Sequence, residues 1–215
     1  MKLEYILLGV LLQRPMTGYG LKRFMDVSGR FMRDKTVMSQ VYRSLTQMED
    51  KGLVSHTVEA GQGARDLKRY HVTPEGETIF FEWLSKPHQP DESIDSYEFY
   101  TRLRFTAAFL DPTDVLNVLD GEIRACRSHI ERFRFRDRTE QVNPTVAMHD
   151  AFCGMVLEWQ HRRGMSKMDA HLAACIELRE QIAAGNPPNY GRELLQRFDS
   201  ESDPAVDLDG REVEA

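Results

Sequence analysis

The sequence predicts a mainly α-helical protein of the α+β class, and three observations lead to that prediction. Apolar residues recur at helical spacing along most of the chain, two strand-like runs occur together between residues 53 and 72, and the second half shows helical patterns throughout. With 215 residues, the chain is long enough for one large domain or two small ones.

The composition is that of an ordinary globular protein. Hydrophobic residues make up 41% and charged residues 29% of the chain, which excludes a disordered polyampholyte, a collagen-like chain and a disulfide scaffold. The three cysteines are widely spaced and odd in number, which favours a reducing, cytoplasmic setting. The longest apolar run, residues 5–12, is shorter than the roughly 20 residues of a membrane span. We therefore expect no membrane segment and no signal peptide.

Three helices are predicted at the N-terminus. The first has one apolar face, made of Leu3, Ile6, Leu7, Val10 and Leu11, and ends before Pro15. Thr17 caps the second helix, which Gly29 closes. Ser39 opens the third helix, which runs to the C-terminal stop at Gly52.

A hairpin and a fourth helix follow directly. The strand-like runs at 53–59 and 67–72 are joined by a glycine-rich segment at 60–64, which is typical of a β-hairpin. Thr73 and Pro74 then provide the cap and first residue of a helix. The predicted order is therefore three helices, a hairpin and a helix.

The second half is predicted to be helical. Its helices cover 94–110 (with Tyr100, Leu103, Ala107 and Leu110 as the apolar stripe), 111–137, 143 to Gly164 and Ser166 to Gly185. The expected domain organisation is an N-terminal domain at 1–86, a linker at 87–93, a helical domain at 94–185 and a tail at 186–215 that is acidic from 199 and is expected to be disordered.

The third helix carries a polar face that suits nucleic acid. At 100° per residue its polar sector, about 100° wide, contains no acid; it consists of Gln40, Arg43, Ser44, Gln47 and Lys51. Arginine can pair with guanine and glutamine with adenine in the major groove. The alternative is that these residues are simply the solvated face that any surface helix needs.

The hairpin adds basic side chains beside this helix. Its tip and second strand contain Arg65, Lys68 and Arg69, which can hold the DNA backbone that flanks a groove. The alternative is a solvated β-ribbon.

Three ordered motifs resemble the PadR-type transcriptional regulators. They are the opening at 5–12 (YILLGVLL) and 15–22 (PMTGYGLK), the helix at 40–45 (QVYRSL) continuing through 48–54 (MEDKGLV), and the strand-to-helix corner at 69–76 (RYHVTPEG). The resemblance extends over about residues 1–185, although in the second half it lies in the helical pattern more than in the residues.

The resemblance implies a winged helix-turn-helix N-terminal domain with a helical C-terminal dimerisation domain. It implies a dimeric repressor of near-palindromic double-stranded operator DNA, usually released by a small-molecule effector. It also implies that Tyr19 and Tyr42 anchor the DNA backbone and that residues 39–44 approach the major groove. The candidate DNA contacts are Thr17, Tyr19, Ser39, Gln40, Tyr42, Arg43, Ser44, Gln47, Lys51, Arg65, Lys68 and Arg69.

This chain departs from the family pattern in the third helix. Ser39, Gln40 and Arg43 stand where many members have glycine, threonine and proline. The operators of other members therefore cannot be transferred to this protein. The alternative function is a winged-helix module that contacts only proteins.

An apolar seam in the helical domain is a candidate dimer element. Its residues alternate at spacings of three and four, as in a heptad repeat; they are Leu116, Leu119, Ile123, Cys126, Ile130 and Phe133. The alternative is packing against another helix of the same chain.

A candidate effector pocket is formed by large, adaptable side chains farther along the helical domain. These are Met148, Phe152, Met155 and Trp159. The alternative is that they belong to the helical core.

Catalytic and metal motifs are not evident in the sequence. His171 and Cys175 are four residues apart and can share one helix face, but His161 lies in another predicted helix and does not complete a ligand set. No phosphate-binding glycine loop or nucleophile motif occurs. We therefore expect no metal site, no cofactor and no enzymatic activity.

The net charge of −6 is distributed unevenly. Residues 1–86 carry 13 Lys+Arg and 10 Asp+Glu, a balance of +3, whereas the tail at 199–215 has one arginine and seven acids. The mildly basic part is therefore the part assigned to DNA.

Overall fold

The computed structural model describes residues 2–59, 67–87, 96–136 and 149–185. Its described residues divide into two compact units: the first contains 2–59, 67–87 and 97–110, and the second contains 111–136 and 149–185. Most of the predicted linker, the tail from 186, Arg65 and Met148 lie outside the described residues.

The first unit has the predicted winged helix-turn-helix order. Its helices are α1 (Leu3–Gln13), α2 (Gly18–Val27), α3 (Met38–Asp50), α4 (Pro74–Leu84) and α5 (Tyr97–Phe109), with a 3-10 turn at Gly29–Phe31. Its strands are β1 (Met16–Thr17), β2 (Val54–Glu59) and β3 (Leu67–Val72), which form an antiparallel sheet in the order β1-β3-β2. The prediction of a mainly α fold with one hairpin is confirmed.

Local signals in the sequence fix most helix ends of this unit. The Thr17 hydroxyl accepts a hydrogen bond from the Gly20 N–H at 3.0 Å, and Thr73 does the same for the Gly76 N–H at 3.1 Å. Helix α3 ends before Gly52, whose φ of +71° suits glycine. One difference is that α3 begins at Met38, with Val37 as its cap residue, rather than at Ser39.

Helix α5 packs in the first unit, although the sequence places it in the helical domain. Phe105 is fully buried and makes an edge-to-face contact with Phe80 of α4. Arg102 donates to the carbonyl oxygens of Trp83 and Lys86, at 3.2 and 3.1 Å, and so satisfies acceptors at the C-terminal end of α4. The sequence stripe of Tyr100, Leu103, Ala107 and Leu110 is not the buried side of α5, which is formed by Phe99, Thr101, Arg102, Phe105 and Thr106.

The second unit is an antiparallel helix pair, α6 (Pro112–Phe133) and α7 (Asp150–Ala183). Arg179 of α7 pairs with Asp120 in the first half of α6, while Asp169 pairs with Arg134 just beyond its end. The prediction of two helices separated at Gly164 is wrong, because α7 continues through that residue. A mid-helix glycine costs only about 1 kcal/mol relative to alanine, which a long helix can absorb.

The apolar seam of α6 is partly used within the chain. Leu119, Ile123 and Cys126 are buried, and α6 packs along α7 in the same unit. Leu116, Ile130 and Phe133 are half-buried. The intrachain alternative therefore accounts for the centre of the seam, and a dimer contact through those three buried residues is not supported.

In the described part of the chain, no helix is both long enough and apolar enough to span a membrane.

Candidate nucleic-acid interface

Helix α3 presents its polar face outward. Val41, Leu45 and Met48 are fully buried and fix the rotation of the helix on the core. The predicted reading residues then fall on the opposite side, where Ser39, Tyr42, Arg43 and Gln47 are exposed and Gln40 and Ser44 are half-buried. Among the described residues, no side-chain hydrogen bond or ion pair engages Arg43 or Gln47. Their long polar side chains are therefore available for a ligand.

Two tyrosines stand where α2 begins. Tyr19 and Tyr42 are 48% and 46% exposed, so each keeps half its surface in solvent. The ring of Tyr42 lies on Gly18, where an added Cβ would be 2.5 Å from its Cε1 atom. The absence of a side chain at Gly18 thus lets Tyr42 of α3 pack on the N-terminus of α2. A helix N-terminus with adjacent phenolic hydroxyls suits a phosphate group.

Two predicted DNA contacts are engaged elsewhere in the fold. Thr17 is buried and caps α2, so its hydroxyl does not face a ligand. Arg69 of β3 donates to both carboxylate oxygens of Glu59 on β2, at 2.6 and 3.1 Å, and to the carbonyl oxygen of Pro15. Both side chains hold the domain together, and their predicted DNA contacts are not supported.

Gln40 and Lys51 have structural partners as well. The Val37 N–H donates to Gln40 Oε1 at 3.3 Å, so Gln40 helps to close the first turn of α3. Lys51 Nζ lies 2.9 Å from Glu4 Oε2 and ties the end of α3 to α1. The polar face that remains for reading DNA is therefore centred on Arg43 and Gln47.

The wing is tied to the recognition helix through its base. His56 of β2 is hydrogen-bonded to Glu49 of α3, and Thr57 contacts His71 across the hairpin at 3.0 Å. Burial raises the pKa of Tyr70, and the charges of Glu49 and Tyr42 add to the effect. Lys68 is exposed on β3. Among the predicted basic wing residues that the structure describes, Lys68 is thus the one whose side chain is exposed and can contact the DNA backbone.

The predicted effector pocket is not formed in the described part of the chain. Phe152, Met155 and Trp159 are 67%, 62% and 64% exposed, so they line neither a core nor a cavity there. They lie at the start of α7, before His161, whose ring contacts the Arg134 carbonyl oxygen just past the end of α6. Residues 150–160 thus extend about 16 Å beyond α6. Within the described residues of one chain these side chains enclose no pocket, and the effector pocket stays a prediction.

These side chains form instead an exposed apolar patch, which comprises Phe152, Met155, Val156 and Trp159. Their spacing places them on one side of α7, opposite the side on which Met168 and Cys175 are buried. Sequence reasoning missed this surface. The sequence signal that could have revealed it is that apolar residues lie on two opposite sides of α7 when residues 150–183 are read as one continuous helix.

The sheet, the exposed helix and the wing define a class of protein. The N-terminal unit is a winged helix-turn-helix domain in which α3, the second helix of the helix-turn-helix, has one side exposed to solvent. Residues 7–81 match the family described as the transcriptional regulator PadR-like family. The match identifies a PadR-like domain within the first unit, which confirms the resemblance in the sequence and supports a DNA-binding transcriptional regulator in general terms.

Several solved structures are similar to this chain. The smu.1604c protein from Streptococcus mutans UA159 is 19% identical over 86% of this chain and 98% of that one, with a TM-score of 0.40. A PadR-like transcriptional regulator from Bacillus cereus is 21% identical over 85% of this chain and 96% of that one, with a TM-score of 0.38. Bacillus subtilis PadR, in a complex with operator DNA, is 16% identical over 84% of this chain and 98% of that one, with a TM-score of 0.41. No curated protein sequence matches the chain significantly.

Proposed function

We propose that this protein is a dimeric repressor that reads operator DNA with the exposed face of α3 and acts in the cytoplasm without catalysing a reaction. The observation that carries the proposal is that Arg43 and Gln47 are exposed on a helix whose other side is anchored in the core, in a polar sector that has its nearest acid, Asp50, just outside it. Acidic residues would be repelled by phosphate, whereas these two side chains match guanine and adenine edges.

The proposed DNA contacts are of two kinds, those that read the bases and those that position the protein on the DNA backbone. Arg43 and Gln47, with Ser39 and Ser44 beside them, face the base edges, while Tyr19, Tyr42 and Lys68 hold the flanking phosphates. A single domain of this size binds DNA modestly, and two copies on neighbouring half-sites multiply the affinity. The proposed mechanism therefore requires a dimer.

The apolar patch on α7 is the proposed dimer contact. A second copy of the chain can bury these large side chains, since they repeat at positions three, four and seven along one side of the helix. A self-complementary contact of this kind forms a closed, two-fold symmetric dimer. It replaces the buried centre of the α6 seam as the expected interface.

Replacing Met155 and Trp159 together by glutamate is expected to convert the dimer to a monomer. Loss of one central tryptophan at an interface costs about 2 kcal/mol or more, and two buried charges add to that cost. Light scattering should give twice the 24.9 kDa chain mass for the unmodified protein and the single mass for the variant. Ala173→Glu with Ala174→Glu introduces the same two charges at exposed positions of α7 outside the patch and should remain dimeric. A monomeric unmodified protein at micromolar concentration would contradict the proposal.

Repression is proposed to be relieved by a small-molecule effector. Such a ligand lowers DNA affinity only if it binds the DNA-free arrangement of the dimer more tightly than the DNA-bound one. Because Phe152, Met155 and Trp159 are exposed in the single chain, an effector site built from them requires the second copy to complete it.

The test of the proposed function is the salt dependence of binding to DNA from the control region of its own transcription unit. Each phosphate contact contributes a slope of about −0.9 in a plot of log K against log salt concentration. We expect a steep negative slope that becomes shallower by about one contact per half-site in Lys68→Ala. A protein that uses this domain only for protein contacts would show no measurable DNA affinity at low salt.

A further inference from the structure

A cluster of ligating side chains lies between the two helices of the second unit, apart from every residue assigned to DNA. Glu122 and Cys126 are four residues apart on α6, and His171 and Cys175 are four apart on α7. A four-residue spacing places both members of each pair on one side of their helix. The antiparallel packing of α6 and α7 then brings the two pairs together.

The ligand atoms are close enough for one metal ion. Those of Glu122, Cys126 and His171 all lie within 4.8 Å of one another. His171 Nε2 is 2.9 Å from Glu122 Oε1 and 3.7 Å from Cys175 Sγ. Tetrahedral zinc bonds of about 2.0–2.3 Å separate neighbouring ligand atoms by about 3.3–3.8 Å. For Glu122, Cys126 and His171, a contraction of about 1 Å at most brings the ligand atoms to these separations, and Cys175 Sγ is already at such a distance from His171 Nε2.

Burial makes this cluster unlike a set of surface polar residues. The side chains of Glu122 and His171 are 4% and 9% exposed, and both cysteines are buried. A buried carboxylate such as that of Glu122 requires a compensating positive charge, and a bound cation would supply one.

We propose that Glu122, Cys126, His171 and Cys175 bind one thiophilic divalent cation of the zinc type. Two sulfur atoms, one imidazole nitrogen and one carboxylate oxygen are a tetrahedral zinc set, whereas magnesium and calcium require oxygen ligands. The proposal goes beyond DNA recognition and does not depend on it. The ion joins α6 to α7 near the middle of the pair and fixes the helix that carries the apolar patch.

The sequence showed only half of this site. His171 and Cys175 were recognisable as a pair, but Glu122 and Cys126 were missed because the contact between α6 and α7 joins residues 49 positions apart. The sequence signal that could have revealed the site is that two helices in succession each carry a pair of metal-ligating residue types four positions apart.

The experiment uses the full-length, reduced protein, stripped of metal with a chelator and titrated with Co²⁺ as a spectroscopic probe. We expect one equivalent of Co²⁺ to produce a thiolate-to-cobalt charge-transfer band in the near ultraviolet together with the visible spectrum of a tetrahedral ion. Zn²⁺ should displace it. At a hundredfold excess over its dissociation constant, Zn²⁺ should raise the melting temperature by about 5 °C or more.

Single variants then assign the ligands. Cys126→Ser and Cys175→Ser should each halve the charge-transfer intensity, and Glu122→Gln should weaken binding by about tenfold or more. Cys153→Ser removes an exposed thiol and is the matched control, with an unchanged spectrum expected. The proposal is overturned if the unmodified protein gives no charge-transfer band, or if Cys153→Ser abolishes the band. Both results come from proteins that keep the buried cluster, so they decide the question even if the other variants fold poorly.

Discussion

Removing Arg43 and Gln47 together is expected to abolish sequence-specific DNA binding. Each side chain is exposed on α3, and loss of one base contact costs about 1–3 kcal/mol. If the two costs add, operator affinity falls by at least about thirtyfold per half-site. Fluorescence anisotropy with labelled operator DNA measures the loss directly. Because neither side chain contributes to the core, the melting temperature should not change.

A matched control separates the loss of contacts from the loss of charge. Arg127→Ala with Gln181→Ala removes the same two residue types from α6 and α7, where no DNA contact is proposed. This pair should leave DNA affinity and its salt dependence unchanged. Equal binding by the Arg43 and Gln47 variant and by the control would contradict the assignment of α3 as the recognition helix.

Among the glycines in the described part of the chain, Gly76 is the one at which substitution by alanine is expected to destabilise the protein most. A Cβ at this position would overlap the carbonyl oxygen of Leu53, which is backbone and cannot rotate away. The same carbonyl accepts a 3.0 Å hydrogen bond from the Thr73 N–H, which pins the corner between β3 and α4. We expect a loss of about 3 kcal/mol, seen as a melting temperature lower by about 10 °C or more.

Gly164→Ala is the control for that measurement. Nothing lies within 4 Å of the added methyl group at this helical position. Because alanine favours the helix over glycine, this substitution should be neutral or stabilise the protein by up to about 1 kcal/mol. Similar melting temperatures for the two variants, as followed by circular dichroism, would show that the close contact at Gly76 is absent in solution.

The first unit was predictable because its signals are local. Thr17 and Thr73 cap helices, Gly52 ends one, and the glycine-rich segment joins two strands that pair as expected. The outward side of α3 followed from helical spacing. What spacing cannot show is whether a polar residue on that side already has a partner, and Arg69 and Lys51 prove to be engaged by Glu59 and Glu4.

The second half was less predictable because its features depend on contacts between distant residues. Gly164 reads as a helix end locally, but packing along α6 favours one continuous α7. Phe105 reads as part of the helical domain, yet it lies against Phe80 in the first unit. The apolar patch on α7 and the cluster around Glu122 likewise appear only when α6 and α7 are placed side by side.

The most direct test of the central claim is selection of bound fragments from a genomic DNA pool, followed by footprinting. If a dimer reads DNA with α3, the enriched fragments share an inverted repeat whose half-sites are centred about 10–10.5 base pairs apart, or a multiple of that distance. The Arg43 and Gln47 double variant should enrich none of them. The account is contradicted if the unmodified protein enriches no common sequence, or if the double variant enriches the same one.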